Sequence, residues 1–145
     1  MSPVALDTSV VVAALLGAHE HHDAARKAVD DALSRPGGAI VPAPVLFEAY
    51  AVLTRLPAPW RLRADVAERL LRDTLEEHAG VVSLPDDVGA WSVVRDLAHR
   101  GLVGGIVHDA HVVACAHAAG ASALVTLNRR DFARLDLGVM ALVVP

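Results

Sequence analysis

The chain has 145 residues, 54% of them hydrophobic and 21% charged, with a net charge of -4. That length suits one domain with one core, and the composition excludes a disordered chain. The acidic balance, with a pI near 6.0, argues against a protein that coats nucleic acid through a basic surface, but not against an enzyme that grips a phosphodiester locally through metal ions.

Aromatic residues make up 3%, so the core is expected to consist of Val, Leu and Ala. Lys27 is the only lysine, and arginine, which suits bidentate phosphate contacts, supplies the other basic side chains. Cys115 is the single cysteine, which rules out an intrachain disulfide and fits a reducing cytoplasm. The segment from Met1 to Asp7 does not read as a signal peptide, and the apolar run from Val10 to Leu16 is too short to span a bilayer.

In chain order, Val4-Ala5-Leu6 reads as a short buried strand ending at Asp7. Thr8 or Ser9 can cap a helix running through Val10 to Leu16. A second helix spans Glu20 to Leu33 and is stopped by Arg35-Pro36-Gly37-Gly38. Ala39-Ile40-Val41 is the next strand, and Pro42 and Pro44 sit at the entry of a helix over Val45 to Leu56. Pro57 and Pro59 end that helix. Asp65 to His78 is a charged amphipathic helix, Val81 to Leu84 a third strand, and Asp87 to about His99 a further helix. Gly101, Gly104 and Gly105 lie in a loop before a helix over Ile106 to Ala119, which Gly120 closes. Ala123 to Val125 and Ala141 to Val144 are the last strands. Short apolar strands alternating with helices predict an α/β fold with a parallel sheet covered on both faces. Ligand sites in such sheets lie beyond the carboxyl ends of the strands, and Asp7, Thr126, Asn128 and Asp131 all follow strands there.

Three acids stand where the pattern predicts hydrocarbon. Glu48 falls within the stripe Val45, Ala49, Val52, Leu53 and Leu56. Asp109 falls within the stripe Ile106, Ala110 and Val113, and Asp7 stands at the mouth of a buried strand. Buried unpaired carboxylates cost several kcal/mol and repel one another. Basic partners or a divalent cation must offset that cost. No Lys or Arg shares these stripes, and a hard cation such as Mg2+ or Mn2+ takes oxygen ligands.

Four blocks carry a family resemblance: Ala5-Leu6-Asp7-Thr8-Ser9-Val10-Val11, Leu46-Phe47-Glu48-Ala49, Gly105-Ile106-Val107-His108-Asp109-Ala110, and Leu124-Val125-Thr126-Leu127-Asn128-Arg129-Arg130-Asp131-Phe132. In that order the chain resembles the PIN-domain ribonucleases, and within them the VapC-type toxins of bacterial toxin–antitoxin pairs. The resemblance covers residues 1–145 as one PIN domain. It implies a three-layer α/β/α sandwich around a parallel sheet and endonucleolytic RNA cleavage with Mg2+ or Mn2+. It also implies a cognate antitoxin, a homodimer, a cytoplasmic location and no membrane partner.

By the same resemblance, Asp7, Glu48 and Asp109 match the family's first three acids, with Asp7 and Asp109 the metal ligands and Glu48 positioning water or sharing a second metal. Ser9 and Thr126 match hydroxyl positions. The fourth acid is replaced by Asn128, and Asp131 stands three residues on as an alternative source of charge. Arg129 and Arg130 are candidate phosphate contacts. Competing readings are a PIN nuclease of RNA maturation and a PIN-like module that binds without cutting. A haloacid-dehalogenase-type phosphatase is disfavoured, because Ser9 occupies the place of its second Asp.

Other features are read as structural. His19-Glu20-His21-His22-Asp23 resembles a metal cluster, but consecutive helical residues point apart, so it is expected to be a helix start. His108 and His111 are expected to pack or face solvent. Cys115 is expected to be inert core, and Trp60 and Trp91 to be packing anchors. The helices around Val52, Leu53, Leu70 and Leu71 suggest surplus apolar surface for a dimer or an antitoxin segment.

Overall fold

A computed structural model describes residues 1–145. Five short strands, β1 (Val4–Leu6), β2 (Ala39–Pro42), β3 (Ala79–Val82), β4 (Ala123–Val125) and β5 (Ala141–Val143), form one sheet in the order β3-β2-β1-β4-β5. Every neighbouring pair is parallel. Parallel neighbours require crossover connections, and helices supply them. These are α1 (Thr8–Leu15), α2 (His22–Ser34), α3 (Ala43–Arg55), α4 (Ala64–Leu71), α5 (Asp87–His99), α6 (Ile106–Ala118) and α7 (Arg129–Phe132).

The chain builds outward from β1 through β2 to β3, then returns to place β4 on the other side of β1. The switch point between β1 and β4 opens a crevice at the carboxyl ends of the two strands. Asp7 follows β1 there and Thr126 follows β4, and the ladder continues into both through Asp7 N–H to Val125 O and Thr126 N–H to Val143 O, each 3.0 Å. The central strands β1 and β4 are fully buried, as their uninterrupted Val, Ala and Leu require. Around them Val, Ala and Leu dominate the core, as the shortage of aromatics implies. Phe132 is the one aromatic in that core.

Two glycines end helices where the chain must turn sharply. Gly101 after α5 and Gly120 after α6 have φ of 65° and 72°. Both close their helices with paired backbone bonds, Gly101 N–H to Ala98 O with Leu102 N–H to Leu97 O, and Gly120 N–H to His117 O with Ala121 N–H to Ala116 O. That pattern satisfies the last free carbonyls and favours glycine at the left-handed position.

Several elements differ from expectation. α1 begins at Thr8, two residues before Val10, because Asp7 is still extended and takes the cap position itself. Neither Thr8 nor Ser9 caps the helix; their hydroxyls turn to carboxylates instead. The helix expected over Asp65 to His78 is α4 followed by a π turn over Arg72–Glu76. The wider turn lets both Leu71 and Leu75 bury, while Arg72 bonds Glu68 and Glu76 in solvent. β3 lies at Ala79–Val82 rather than Val81 to Leu84, in register with β2 from Ala39↔Ala79 to Pro42↔Val82. Residues Arg129 to Phe132, within the fourth block, form the short helix α7.

Trp60 and Trp91 are not packing anchors, since they are 54% and 67% exposed. Leu53 and Leu71 are core, so they offer no surplus surface; the uncovered apolar side chains near them are Phe47, Tyr50 and Val81. Cys115 is buried as expected, and burial raises its thiol pKa, which keeps it in the unreactive thiol form.

Candidate active site

The site is assembled around Asp7. Its backbone closes the first turn of α1 by accepting Val11 N–H at 3.2 Å. Its side chain is held from two directions: Thr126 Oγ1 donates to Asp7 Oδ2 at 2.8 Å and Ser9 Oγ donates to the same oxygen at 3.0 Å. The hydroxyls are themselves fixed from the loop after β4, where Leu127 N–H donates to Ser9 Oγ and Asn128 N–H to Thr126 Oγ1, both at 2.9 Å. The two hydroxyl oxygens stand 3.1 Å apart. Each hydroxyl has one hydrogen and spends it on Asp7, while the backbone fills its acceptor side.

Asp7 Oδ2 is thus saturated and Oδ1 takes no hydrogen bond within the chain. No buried side-chain oxygen or nitrogen lacks a partner, so Oδ1 reaches the cleft. The rest of that cleft, about 510 Å³, is lined by Thr8, Ser9, Val12, His19, Glu20, His21, Glu48, Val52, Asp109, Leu127 and Asn128.

Helices α3 and α6 bring two further acids. Glu48, on α3, accepts Thr8 Oγ1 at 3.3 Å through Oε2. Asp109 lies in the first turn of α6. Its pKa is pushed up from the ordinary 3.8 to about 6, chiefly by burial and then by the negative charges of Asp7, Asp131 and Glu48, with His108 acting weakly the other way. That ordering shows four carboxylates sharing one electrostatic neighbourhood.

The expectation that all three leading acids sit in apolar surroundings holds only in part. Asp7 is 5% exposed, Asp109 is partly buried and Glu48 is exposed. The apolar stripe of α3 faces the core through Val45, Ala49 and Leu53, and Glu48 projects beside it into the cleft. No arginine or lysine forms an ion pair with Asp7, Glu48, Asp109 or Asp131; the ion pairs of the chain lie on α2, α4 and the surface loops.

The fourth block divides its labour. Asn128 lines the cleft, and its amide donates to Asp131 Oδ2 at 2.9 Å. Asp131, on α7, is partly buried and reaches Asp109 electrostatically. Arg129 and Arg130 are exposed and outside the cleft wall. His108 is exposed and His111 partly buried. His19, Glu20 and His21, read above as a helix start, border the cleft, and α2 begins only at His22. Sequence spacing could not place them, because they lie in the turn between α1 and α2, outside any periodic pattern.

The free oxygens match a hard divalent cation: carboxylates only, with Asp7, Glu48 and Asp109 each keeping at least one oxygen unengaged within the chain, and no competing ammonium or guanidinium. No three His, Cys, Asp or Glu side chains stand close enough together to enclose an ion alone. Mg2+ commonly keeps several waters and needs only one or two carboxylates, so this donor set fits a hydrated ion.

Replacing Thr126 by valine tests the support of Asp7. Valine keeps the volume and removes the hydroxyl, leaving Asn128 N–H and one lone pair of Asp7 without a partner. A loss of about 1–3 kcal/mol in stability by urea denaturation is expected.

An acid-lined crevice at the switch point of a wholly parallel sheet defines the class of protein: an α/β fold presenting carboxylates to a ligand at its strand ends. The PIN-domain family model matches residues 4–137. The chain belongs to the PIN-domain family. It is 35% identical over 122 residues to Ribonuclease VapC40 of Mycobacterium tuberculosis, covering 83% of this chain and 84% of that protein. Among solved structures it resembles VapC20 of Mycobacterium tuberculosis, described as a sarcin-ricin loop cleaving toxin, with a TM-score of 0.69 and 19% identity over 90% of this chain and 94% of that one. It also resembles VapBC2 of Rickettsia felis bound to a DNA fragment from its promoter, with a TM-score of 0.71 and 18% identity over 98% of each chain.

Proposed function

We propose that this protein is a VapC-type endoribonuclease, the toxin of a toxin–antitoxin pair, which hydrolyses RNA phosphodiesters with Mg2+ or Mn2+. The observation that carries this reading is the meeting of Asp7, Glu48, Asp109 and Asp131 at the switch point with no basic side chain paired to any of them. Such a cluster is tolerated when a cation is its partner. Its likeness to Ribonuclease VapC40 supports the choice of RNA as substrate.

Asp7 and Asp109 are the residues that would hold the ion. When bound, the ion supplies charge neutralisation at the phosphate and lowers the pKa of a water. The protein's own groups do the rest. Ser9 and Thr126 lock Asp7 so that Oδ1 faces the cleft. Thr8 holds Glu48 by Oε2, which leaves Oε1 to accept a proton from the attacking water. Asn128 lines the cleft and tethers Asp131, which adds negative charge beside Asp109. With water as nucleophile and the 3′-oxygen as the leaving group, which departs as the 3′-hydroxyl, the ribose 2′-hydroxyl is not consumed and the products carry 5′-phosphate and 3′-hydroxyl ends.

Two apolar surfaces support protein partners. A groove of about 680 Å³ runs between α3, α4 and the edge strand β3, lined by Leu46, Phe47, Tyr50, Leu71 and Leu75. On α5, Val88, Trp91 and Val94 are 67%, 67% and 53% exposed at helical spacing. An antitoxin and a second copy of the chain are the two occupants proposed for these faces. No helix is long and apolar enough to cross a membrane.

The test is metal withdrawal. Purified protein freed of metal with EDTA should leave RNA intact, and Mg2+ or Mn2+ should restore cleavage with 5′-phosphate ends. Undiminished cleavage in EDTA, or 2′,3′-cyclic phosphate products, would overturn the mechanism.

A further inference from the structure

The turn between α1 and α2 forms one wall of the acidic cleft and carries the sequence His19-Glu20-His21. Two backbone bonds brace it: His19 N–H to Leu16 O and His22 N–H to His19 O, each 3.0 Å. His19 Nδ1 accepts the backbone N–H of His21 at 3.0 Å. An imidazole that accepts at Nδ1 carries its hydrogen on Nε2, and His19 Nε2 has no partner in the chain. The hydroxyls of the cleft wall are already engaged, and the Asn128 amide has spent one of its two hydrogens. Thr8 donates to Glu48, Ser9 to Asp7, and the Asn128 amide to Asp131. His21 Nε2 faces Glu20 Oε1 at 3.4 Å.

The wall therefore holds four carboxylates, Asp7, Glu20, Glu48 and Asp109, and neither arginine nor lysine. A polyanion entering it meets repulsion except at a bound cation, at the second amide hydrogen of Asn128 and at the fixed, uncommitted N–H of His19. We infer that His19 is a substrate-binding residue, donating from Nε2 to a phosphate oxygen of the RNA strand held in the cleft. The inference rests on the ribonuclease reading above. The tie from His21 sets the ring before substrate arrives, so little ordering is left for the binding step. The packing of the two rings, with centroids 5.8 Å apart, steadies the same geometry.

The experiment compares His19→Ala and His19→Gln with the wild type on a fluorescein-labelled single-stranded RNA of mixed sequence. Loss of one hydrogen bond to a charged phosphate should raise KM about tenfold in His19→Ala and leave kcat within about twofold. Glutamine, which restores an N–H donor, should recover most of the loss. In an Asp7→Asn background, which holds the RNA uncut, His19→Ala should weaken Kd by the same factor in fluorescence anisotropy. An unchanged KM and Kd in a wild type that cleaves would overturn the role of His19. A fall in kcat alone, or a glutamine variant no better than alanine, would also overturn it. A wild type that cleaves no RNA with either metal would instead overturn the nuclease reading itself.

Discussion

Asp7→Asn removes RNA cleavage, with a fall in kcat/KM of at least on the order of 10³-fold expected for loss of a group central to the reacting assembly. The fold survives the change. Asparagine has the same shape and its carbonyl oxygen can still accept from Thr126 and Ser9, the two donors that hold Asp7 Oδ2. The lost element is the negative charge, together with the cleft-facing oxygen that the amide nitrogen replaces. Circular dichroism and thermal unfolding of the metal-free variant should match the wild type or exceed it, while labelled RNA stays whole with Mg2+ or Mn2+. Cleavage at more than a tenth of the wild-type rate would remove Asp7 from the centre of the mechanism.

Asp109→Asn should separate function from stability in the opposite direction. The Asp109 carboxyl is pushed up from 3.8 to about 6 by burial and by Asp7, Asp131 and Glu48. In the unfolded chain it ionises near pH 4, as a free carboxyl does. The folded state therefore binds the proton more tightly, and stability from this group is complete below about pH 4 and lost as pH rises through about 6. At full weight the shift is worth about 3 kcal/mol. Solvent screening at a half-buried site reduces this to about 1–2 kcal/mol. Metal-free wild type should therefore lose stability between about pH 4 and 6 from this source, and Asp109→Asn should flatten that loss. At pH 7.5 the metal-free variant should melt about 3–6 °C above the wild type. Added Mn2+ should raise the melting temperature of the wild type and leave the variant almost unmoved, because stabilisation by a ligand requires that the native state bind it. A variant less stable than the wild type in EDTA would mean that Asp109 is held by contacts rather than strained by like charges.

Much of this was legible in the residues. The strands at Val4 to Leu6 and Ala123 to Val125 have the apolar runs of fully buried parallel strands, and the structure places them side by side. An acid or hydroxyl directly after such a strand has few places to go, so the residues alone put Asp7 and Thr126 on one sheet edge, where Thr126 Oγ1 donates to Asp7. The failures also have physical causes. The spacing of Glu48 within the stripe of α3 predicts a buried side chain, but a stripe covers an arc of helix, and a side chain at its margin can leave the core for a cleft. The hydroxyls of Thr8 and Ser9 looked like helix caps, and tertiary partners outcompeted the local backbone for them. The π turn over Arg72–Glu76 has no signature in a periodic pattern, since it arises from fitting Leu75 into the core. His19 and His21 belong to a turn, where contacts depend on chain path rather than period.

Diffraction from crystals soaked in Mn2+, with anomalous differences collected at the manganese edge, tests the metal assignment most directly. One or more peaks should lie in the cleft within bonding distance of Asp7 Oδ1 and Asp109, and Asp109→Asn crystals should lack them. An empty cleft at saturating Mn2+, or an ion bound elsewhere while Asp7 and Asp109 keep only water, would contradict the idea that these acids are gathered to hold a cation.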